Sequence, residues 1–534
     1  MTEESTDRPP AGVRANLNRA QELKWFLYSH REQLLEGILL VAILAIGASQ
    51  MATLEDLTVA DEAGYLRGGL VLTPRSYSYS YLYALAGILS QNLVTTYLIG
   101  RSLGVVIFVL GAWFAGRLLG SRVAALTGAL LLISLGSPYI WPGIATFAAG
   151  VNIAASAILL KWQNARGAAA ASVLMWIGAA SRPEYWPAAA LCTVLAGWTI
   201  LREAKSNAAK PSWVAVLLLA VVPLLLIGGG AIELGGERTW LAFGQHYAVA
   251  HEGDSYWVGW EEIIRRDFGD ASNVGSAFAA APGAVIDHVR INLTRTPAMI
   301  RDSLLWGRNT RPGLALSNRS ALVLLTALLV AGLATAAAEV WKGHLHRLSW
   351  SFAPLAWPVY LIALLSIPPV LILFPRLHYL QTWVAAAILT AVIVMSRMSA
   401  RMQLGIAAVA ITLVAVPLMV SVVHSYTRPA YRENLALVRV LQRLPGKHVA
   451  ATGLSPELST YIPNFRMVRP KSTDETFQDF LHREDVDVIV ADQALLAGAW
   501  SDVPGFTDFD PAAAGFRLAT TVPRNIFVLV SPTE

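Results

Sequence analysis

The chain has 534 residues, of which 55% are hydrophobic and 14% are charged, with a formal net charge of +5 and one cysteine. Soluble proteins carry about 25% charged residues, and a single soluble core stops growing at roughly 250–300 residues. This composition excludes an ordinary soluble enzyme, a disordered chain and a disulfide scaffold. It predicts a polytopic α-helical membrane protein with some soluble mass, and it assigns the basic excess to cytoplasmic loops rather than to a nucleic-acid partner.

Residues 1–33 are polar and basic, and no small-residue cleavage pattern follows them, so we expect an uncleaved cytoplasmic tail. About 20 apolar residues cross the hydrocarbon layer, and by this length residues 34–423 form a transmembrane domain of about eleven spans. The predicted spans are 34–50, 98–118, 122–138, 143–160, 168–181, 186–201, 213–234, 319–338, 350–367, 378–396 and 402–423.

The positive-inside rule gives these spans a direction. If the N-terminus is inside, the inner loops hold most of the basic residues: Arg117, Arg122, Lys161, Arg166, Arg202, Lys205, Lys210, Lys342, Arg347, Arg397 and Arg401. The short outer turns hold Arg182 and Arg376. We therefore expect a multi-pass protein of a bacterial cytoplasmic (inner) membrane with extracytoplasmic loops at 51–97 and 236–318.

If segment 78–97 were a span, every later loop would lie on the opposite side of the membrane and the basic residues would no longer collect inside. We therefore predict that it is an interfacial helix on the outer side. Its alternate tyrosines, Tyr77, Tyr79, Tyr81 and Tyr83, are expected to anchor at the membrane surface.

Residues 424–534 are predicted to form an extracytoplasmic α/β domain. The segments KHVAATG and VDVIVAD are typical of short buried strands, and TFQDFLHRE is typical of a helix. FRLATTV and NIFVLVS, separated by two residues, predict a closing strand pair.

An acidic pair, Asp61 and Glu62 in TVADEAGYLRGG, follows the first span by about ten residues. A partly desolvated carboxylate near the lipid surface is suited to act as a general base. The alternative is a pair of solvated loop carboxylates.

The chain resembles the GT-C superfamily of polyprenyl-phosphate-sugar-dependent glycosyltransferases. The shared features are a basic tail, one span, an acidic pair with a nearby tyrosine in the first outer loop, and then many spans. Members of the superfamily include protein O-mannosyltransferases, the lipid A aminoarabinose transferase and mycobacterial arabinofuranosyltransferases. The segment FLHREDVDVIVAD is similar to the tail domain of many bacterial members. The resemblance covers most of the chain.

The resemblance implies a mechanism. The carrier phosphate is already a good leaving group, so the reaction needs a base for the acceptor hydroxyl and cations for the departing phosphate, with inversion at the anomeric carbon. The base maps onto Asp61, and Glu62 would orient the acceptor or assist. In place of the Lys-Pro-Pro-Leu-like segment of the aminoarabinose transferase, this chain has TPRSYSYSYLY, where Arg75 replaces the lysine as an expected phosphate contact.

Two outer-edge clusters are further candidates for the donor phosphate. The first contains Arg182, with Glu184 as a candidate acceptor contact, and the second contains Arg376, His378 and Tyr379. Ionisable residues near membrane depth are rare and often functional, and arginine suits phosphate because of its bidentate fork. The alternatives are an Arg–Glu pair, snorkelling and an interfacial belt.

The loop sequence FGQHYAVAHEGDSYWVGWEE contains His251, Glu252 and Trp257, which are candidate acceptor contacts because aromatic faces stack on sugars and carboxylates bind hydroxyls. A surface loop lying on the membrane is the alternative. No metal site is predicted, because no dense spacing of metal ligands occurs. A divalent metal ion is nevertheless not excluded, and no other cofactor is expected.

The hypothesis is thus a membrane glycosyltransferase. Its partners would be a polyprenyl-phosphate sugar, membrane lipid, and an envelope glycan, glycolipid or protein acceptor. A polysaccharide polymerase or ligase and a lipid-linked-sugar flippase remain alternatives. Scarce mid-span charges argue against a transporter, and the acidic pair argues against a polymerase.

Overall fold

The structure is a computed structural model. It describes residues 30–54, 56–57, 61–71, 78–139, 143–182, 185–205, 236–253, 259–305, 312–342, 357–376, 378–427, 432–444, 449–452, 456–462, 465–468, 475–491, 503–522 and 526–530. Within these ranges the chain is mostly helical, and a five-stranded sheet lies near its end.

The helices of the first half are α1 (Arg31–Leu54), α2 (Asp61–Val71), α3 (Ser80–Leu89), α4 (Leu93–Leu118), α5 (Arg122–Ser134), α6 (Ile144–Lys161), α7 (Ala165–Ala179) and α8 (Trp186–Lys205). Those of the middle are α9 (Gly236–Glu252), α10 (Trp260–Phe268), α11 (Val274–Ala280) and α12 (Pro282–Leu304). They are followed by α13 (Pro312–Trp341), α14 (Trp357–Leu365), α15 (Gln381–Arg397), α16 (Ala400–Ala410), α17 (Val416–Thr427), α18 (Glu433–Leu441) and α19 (Phe477–Arg483).

In the described part of the chain, five helical segments are long and apolar enough to cross a membrane. They are Arg31–Thr53, Leu93–Leu118, Ile144–Lys161, Leu314–Ala338 and Ala400–His424, the last containing a π-helical turn at Ile411–Ala415. Each overlaps a predicted span. Their large exposed apolar side chains, such as Ile38, Val41, Leu333 and Val423, suit a lipid environment.

Other predicted spans are shorter as helices. Apolar helices of 10–17 residues lie within or beside 122–138, 168–181, 350–367 and 378–396. Helix α8 contains the predicted span 186–201, and 213–234 lies outside the described residues. The count of eleven spans therefore stays a prediction.

The segment 78–97 is helical, but its tyrosines do not form a surface stripe. Tyr79 and Tyr83 are fully buried, whereas Tyr81 is 53% exposed. Residues four apart share one helix face and residues two apart do not, so α3 turns Tyr79 and Tyr83 inward together. The predicted interfacial anchoring is wrong for these two residues.

The predicted strand segments of the tail form one sheet with the order β2-β1-β3-β5-β4. The strands are β1 (Val449–Thr452), β2 (Phe465–Met467), β3 (Val486–Ala491), β4 (Arg517–Val522) and β5 (Ile526–Val530). Strands β1, β2 and β3 pair in parallel, and β4 and β5 pair antiparallel, as the closing pair predicted. Helix α19 forms at TFQDFLHRE, capped by Thr476.

The tail packs on the first loop rather than standing apart from it. One buried core joins Leu57, Leu66 and Tyr97 to Leu435 and Tyr461 of the tail. This core positions the acidic pair because α2 lies within it.

A carboxylate far away in the sequence caps the tail's first helix. Asp56 accepts hydrogen bonds from the backbone N–H groups of Asn434 and Leu435 at 2.9 and 2.8 Å, at the start of α18. Arg432 also donates to the carbonyl of Ala52 at 2.6 Å. Asp56 therefore satisfies free N–H groups at the start of α18, and Arg432 satisfies a free carbonyl at the end of α1, so the two helix ends are held together.

Candidate functional site

Asp61 is the first residue of α2, so the predicted base stands at a helix N-terminus that follows the first apolar helix. Its neighbour Glu62 is fully buried. Since the two residues are adjacent, whatever holds Glu62 also fixes the backbone of Asp61.

Glu62 is held by tyrosine hydroxyls and a backbone amide. Tyr79 donates to Oε1 at 2.6 Å, and Tyr83 donates to the same oxygen. The N–H of Gly143 donates to Oε2 at 2.9 Å. Both oxygens of this carboxyl group are thus occupied by donors of the protein itself.

Arg101 completes the cluster. Its Nη1 lies 4.0 Å from Glu62 Oε2, and both side chains are almost fully buried. Its Nη2 donates to the carbonyl of Tyr139 at 3.3 Å. A buried positive charge beside a buried carboxyl group offsets part of the cost of removing each from water.

Two glycines make room for this network. A Cβ at Gly143 would lie 2.0 Å from Arg101 Nη1 and 2.2 Å from Tyr79 Oη, and a Cβ at Gly100 would lie 2.3 Å from the ring of Tyr83. Any side chain at either position would displace a member of the cluster.

The two tyrosines remain donors. Burial and the neighbouring Glu62 raise the pKa of Tyr79 and of Tyr83 well above the ordinary value of 10. The rings also contact each other edge to face, with centroids 5.5 Å apart. A further edge-to-face contact joins Tyr65 to Tyr79 at 5.6 Å.

Hydrogen bonds connect this network to Ser181, the residue before the first predicted phosphate contact. The N–H of Tyr79 donates to Ser181 Oγ at 3.2 Å, and Ser78 Oγ, which contacts Ser181 Oγ, donates to the carbonyl of Ile177 at 2.6 Å. Arg182 follows directly and is 7% exposed. The start of α3 is therefore fixed against the loop that carries Arg182.

Arg182 meets the second predicted cluster. Its guanidinium carbon lies 5.2 Å from the centre of the Tyr379 ring, and the rings of Tyr379 and His378 are 4.4 Å apart. The N–H of Tyr379 donates to the carbonyl of Arg376 at 3.0 Å. Contacts thus bring four predicted donor-phosphate residues into one region, although the sequence separates them by almost 200 positions.

A π-helical turn at Pro369–Leu373 precedes this cluster. Helix α12 holds the turn. His288 Nε2 lies 3.0 Å from the carbonyl of Leu373, and Asn292 Nδ2 donates to the carbonyl of Leu371 at 2.9 Å. The ring of His246, from α9, stacks on Phe374 with centroids 4.9 Å apart. The backbone leading to Arg376 is therefore fixed from two helices.

These histidines are held neutral. Burial, Arg376 and His288 lower the pKa of His246 to about 3. Burial, together with His251 and Arg295, lowers the pKa of His288 to about 4, despite the bond to Leu373. A neutral imidazole lets His288 donate from one nitrogen while its Nδ1, which has no hydrogen-bond partner within the described ranges, stays unprotonated.

The predicted acceptor residues are only partly described. His251 lies against Tyr247, with ring centroids 4.3 Å apart, and burial lowers its pKa. Glu252 pairs with Arg266 at 2.7 Å. The structure does not bring either residue into contact with the Glu62 network.

Three predicted residues, Arg75, Glu184 and Trp257, lie outside the described residues. The described ranges also contain no group of three His, Cys, Asp or Glu residues placed to hold a metal ion.

The sequence interpretation missed several residues of this region. Arg101 stands inside a predicted span, and an ionisable residue at such a position is itself a signal. Tyr79 and Tyr83 are four residues apart, which is the helical spacing. His288 and Asn292 share that spacing, but their partners are backbone carbonyls that no sequence motif reveals.

No family model matches the chain, and no curated protein matches it in sequence. In fold it is similar to the archaeal oligosaccharyltransferase AglB from Archaeoglobus fulgidus, solved in complex with an inhibitory peptide and a dolichol-phosphate. That similarity has a TM-score of 0.40 and 10% identity, covering 94% of this chain and 75% of the other. The Archaeoglobus fulgidus oligosaccharyltransferase in its apo form is similar with a TM-score of 0.41 and 12% identity, over 93% and 74% of the two chains.

Proposed function

We propose that this protein is an integral-membrane glycosyltransferase that moves a sugar from a polyprenyl-phosphate donor to an envelope glycan, glycolipid or protein on the outer face. One observation carries the proposal. The acidic pair that follows the first apolar helix begins a helix, and the second acid of the pair is locked in a buried network. A solvated loop pair would have no such partners.

In the proposed reaction Asp61 accepts the proton of the acceptor hydroxyl while the hydroxyl oxygen bonds to the anomeric carbon. The bond from that carbon to the phosphate oxygen breaks, and the polyprenyl phosphate leaves with the electron pair. Displacement from the opposite face inverts the anomeric centre. A positioned base of this kind contributes about 10²–10⁴-fold to the rate.

Glu62 is a positioning residue in this scheme. Its side chain is fully enclosed and its oxygens are taken by Tyr79, Tyr83 and Gly143. This arrangement favours fixing the backbone of Asp61, whereas the resemblance implied that Glu62 would orient the acceptor or assist the base.

The donor phosphate would be bound by Arg376 and Arg182. The contact of Arg182 with Tyr379, and the two helices that hold the backbone before Arg376, support a preorganised pair of cations. His378 and Tyr379 complete that group, and Arg75, Glu184, Trp257, His251 and Glu252 remain proposed contacts from the sequence.

The test is mass spectrometry of envelope glycans and prenyl-linked sugars from a deletion strain and from the same strain carrying the wild-type gene. A transferase predicts that one sugar disappears from an acceptor while its prenyl-phosphate form accumulates. Loss of entire polymer chains with unchanged single additions would instead indicate the polymerase or ligase alternative. A prenyl-linked sugar that accumulates only on the inner face would indicate a flippase.

A further inference from the structure

Helices α13, α14 and α15 line a partly open cavity of about 130 Å³ that is separate from the Glu62 network, and Arg397 at its edge is exposed. Its walls combine hydroxyl groups, apolar side chains and one guanidinium. They are formed by Gly332, Thr335, Tyr360, Thr390, Ile393, Val394, Arg397 and Met398.

The cavity lies at the end of the helical bundle opposite Glu62. Helix α4 begins near the network, where Arg101 contacts Glu62, and it ends at Arg117, which pairs with Glu36 at 3.0 Å. Sixteen residues of helix span about 24 Å. Just beyond α4, Ser121 donates to the side chain of Gln403 at 2.6 Å, so the turn between α15 and α16, next to Arg397, lies at the same end as Arg117.

Arg397 supplies the charge of the cavity. Within the described ranges no carboxylate oxygen lies within 4.0 Å of its guanidinium, whereas Arg117 and Arg122 at the same end both have glutamate partners. A cation without a carboxylate beside a recess is suited to an anionic ligand that accepts two parallel hydrogen bonds.

The hydroxyls face the same space. Tyr360 and Thr390 are hydrogen-bonded at 2.8 Å, and Thr335 donates to the carbonyl of Ala331 at 2.8 Å. Each hydroxyl can rotate its hydrogen from this partner toward an anion in the recess. Gly332 allows α13 to approach α15, because a Cβ there would lie 2.7 Å from Val394.

The surroundings point to a lipid as the source of the anion. Val330 and Leu333, on the same helix as Gly332 and Thr335, are 58% and 63% exposed, and Leu364, on the helix of Tyr360, is 61% exposed. Apolar side chains this exposed beside a cationic recess suit acyl chains. Basic recesses between helices at a membrane surface recognise lipid phosphates.

We propose that this cavity binds the phosphate of an anionic glycerophospholipid, with Arg397 as the bidentate contact and Thr335 and Tyr360 as hydroxyl contacts. The ligand occupies the leaflet opposite the proposed transfer site. The site does not depend on the glycosyltransferase proposal.

The test is native mass spectrometry of the purified full-length protein with added phosphatidylglycerol, compared with phosphatidylcholine. The wild-type protein should prefer phosphatidylglycerol, and Arg397→Gln should lower its affinity about tenfold. Arg397→Lys should recover part of that loss because it keeps the charge without the fork. The matched control is Arg401→Gln, which removes an exposed charge on α16 and does not line the cavity.

Equal affinity of Arg397→Gln and wild type for phosphatidylglycerol would overturn the proposal, as would an equal loss in Arg401→Gln. Inorganic phosphate at millimolar concentration should not displace the lipid. If it did, the cavity would be a free-anion site rather than a lipid site. If Arg397→Gln does not fold, Thr335→Val provides the measurement, with a smaller loss for phosphatidylglycerol expected and no change contradicting the proposal.

Discussion

At position 62 a carboxyl group with no exposed surface receives two tyrosine hydroxyls and a backbone amide. The sequence singles out this acid and its neighbour because they follow the first apolar span by about ten residues, where a partly desolvated carboxylate could act as a base. It does not indicate that the two differ in environment. That difference comes from α3, which brings Tyr79 and Tyr83 to one face from a separate part of the chain.

Replacing Tyr83 with phenylalanine tests this network. The variant Tyr83→Phe keeps the ring and removes one hydrogen bond to Glu62, which should cost about 1 kcal/mol of stability. We expect a lower unfolding temperature in detergent micelles. Tyr81→Phe is the matched control, because Tyr81 lies on the same helix and is 53% exposed. Equal unfolding temperatures for the two variants would show that the Glu62 network does not stabilise the protein.

Among the elements, the π-helical turn at Pro369–Leu373 depends most on distant partners. The prolines predict an irregularity there, and Arg376, His378 and Tyr379 could be singled out as an outer-edge cluster. The sequence could not show that His288 and Asn292 of α12 hold the turn through its carbonyls, because backbone acceptors leave no pattern in a single sequence.

The contacts of His288 and His246 with the π-helical turn and with Phe374 should weaken in acid. The pKa of His288 is about 4 and that of His246 about 3, both below the unfolded value of 6.5. At pH values between the folded pKa and 6.5, each histidine is protonated in the unfolded chain but neutral in the folded chain. Stability should therefore fall as pH drops below about 6.5, by up to about 1.4 kcal/mol per pH unit for each histidine.

Unfolding temperatures measured from pH 7.5 to pH 4.5 check this dependence. His288→Gln should show a shallower decline than the wild-type protein, since it removes one of the protonating groups. His482→Gln, on α19 in the tail, is the control and should follow the wild-type slope. If the unfolding temperature of His288→Gln fell with pH as steeply as that of the wild-type protein, His288 would not titrate on unfolding in this range.

For the molecule as a whole, composition predicts membrane-length helices correctly, and short buried apolar segments predict the strands of the tail. The number of spans could not be fixed in the same way, since several apolar helices are shorter than a bilayer is thick. The packing of the tail on the first loop could not be predicted from the sequence either. It rests on Asp56 capping α18 across more than 370 positions, and a local pattern contains no such information.

The distribution of basic residues predicts which side of the membrane each loop faces, and cysteine labelling tests that prediction. Cys192 is the single cysteine of the chain and is buried, so Cys192→Ala provides a background without thiols. In that background Gln478→Cys in the tail should react with a membrane-impermeant maleimide on spheroplasts. Lys342→Cys at the end of α13 should react only after the membrane is opened. Labelling of both positions from outside would contradict the assignment of the tail and the α13 end to opposite faces.

We propose that the carboxylate at position 61 is the base of a sugar transfer. The most direct measurement is mass spectrometry of the envelope glycans of the deletion strain complemented with Asp61→Asn, at matched protein levels. The control is Asp302→Asn, which alters an exposed acid on α12 that pairs with its neighbour Arg301. We predict that Asp61→Asn restores less than about 1% of the transferred sugar, whereas Asp302→Asn restores all of it. Full restoration by Asp61→Asn would contradict the account.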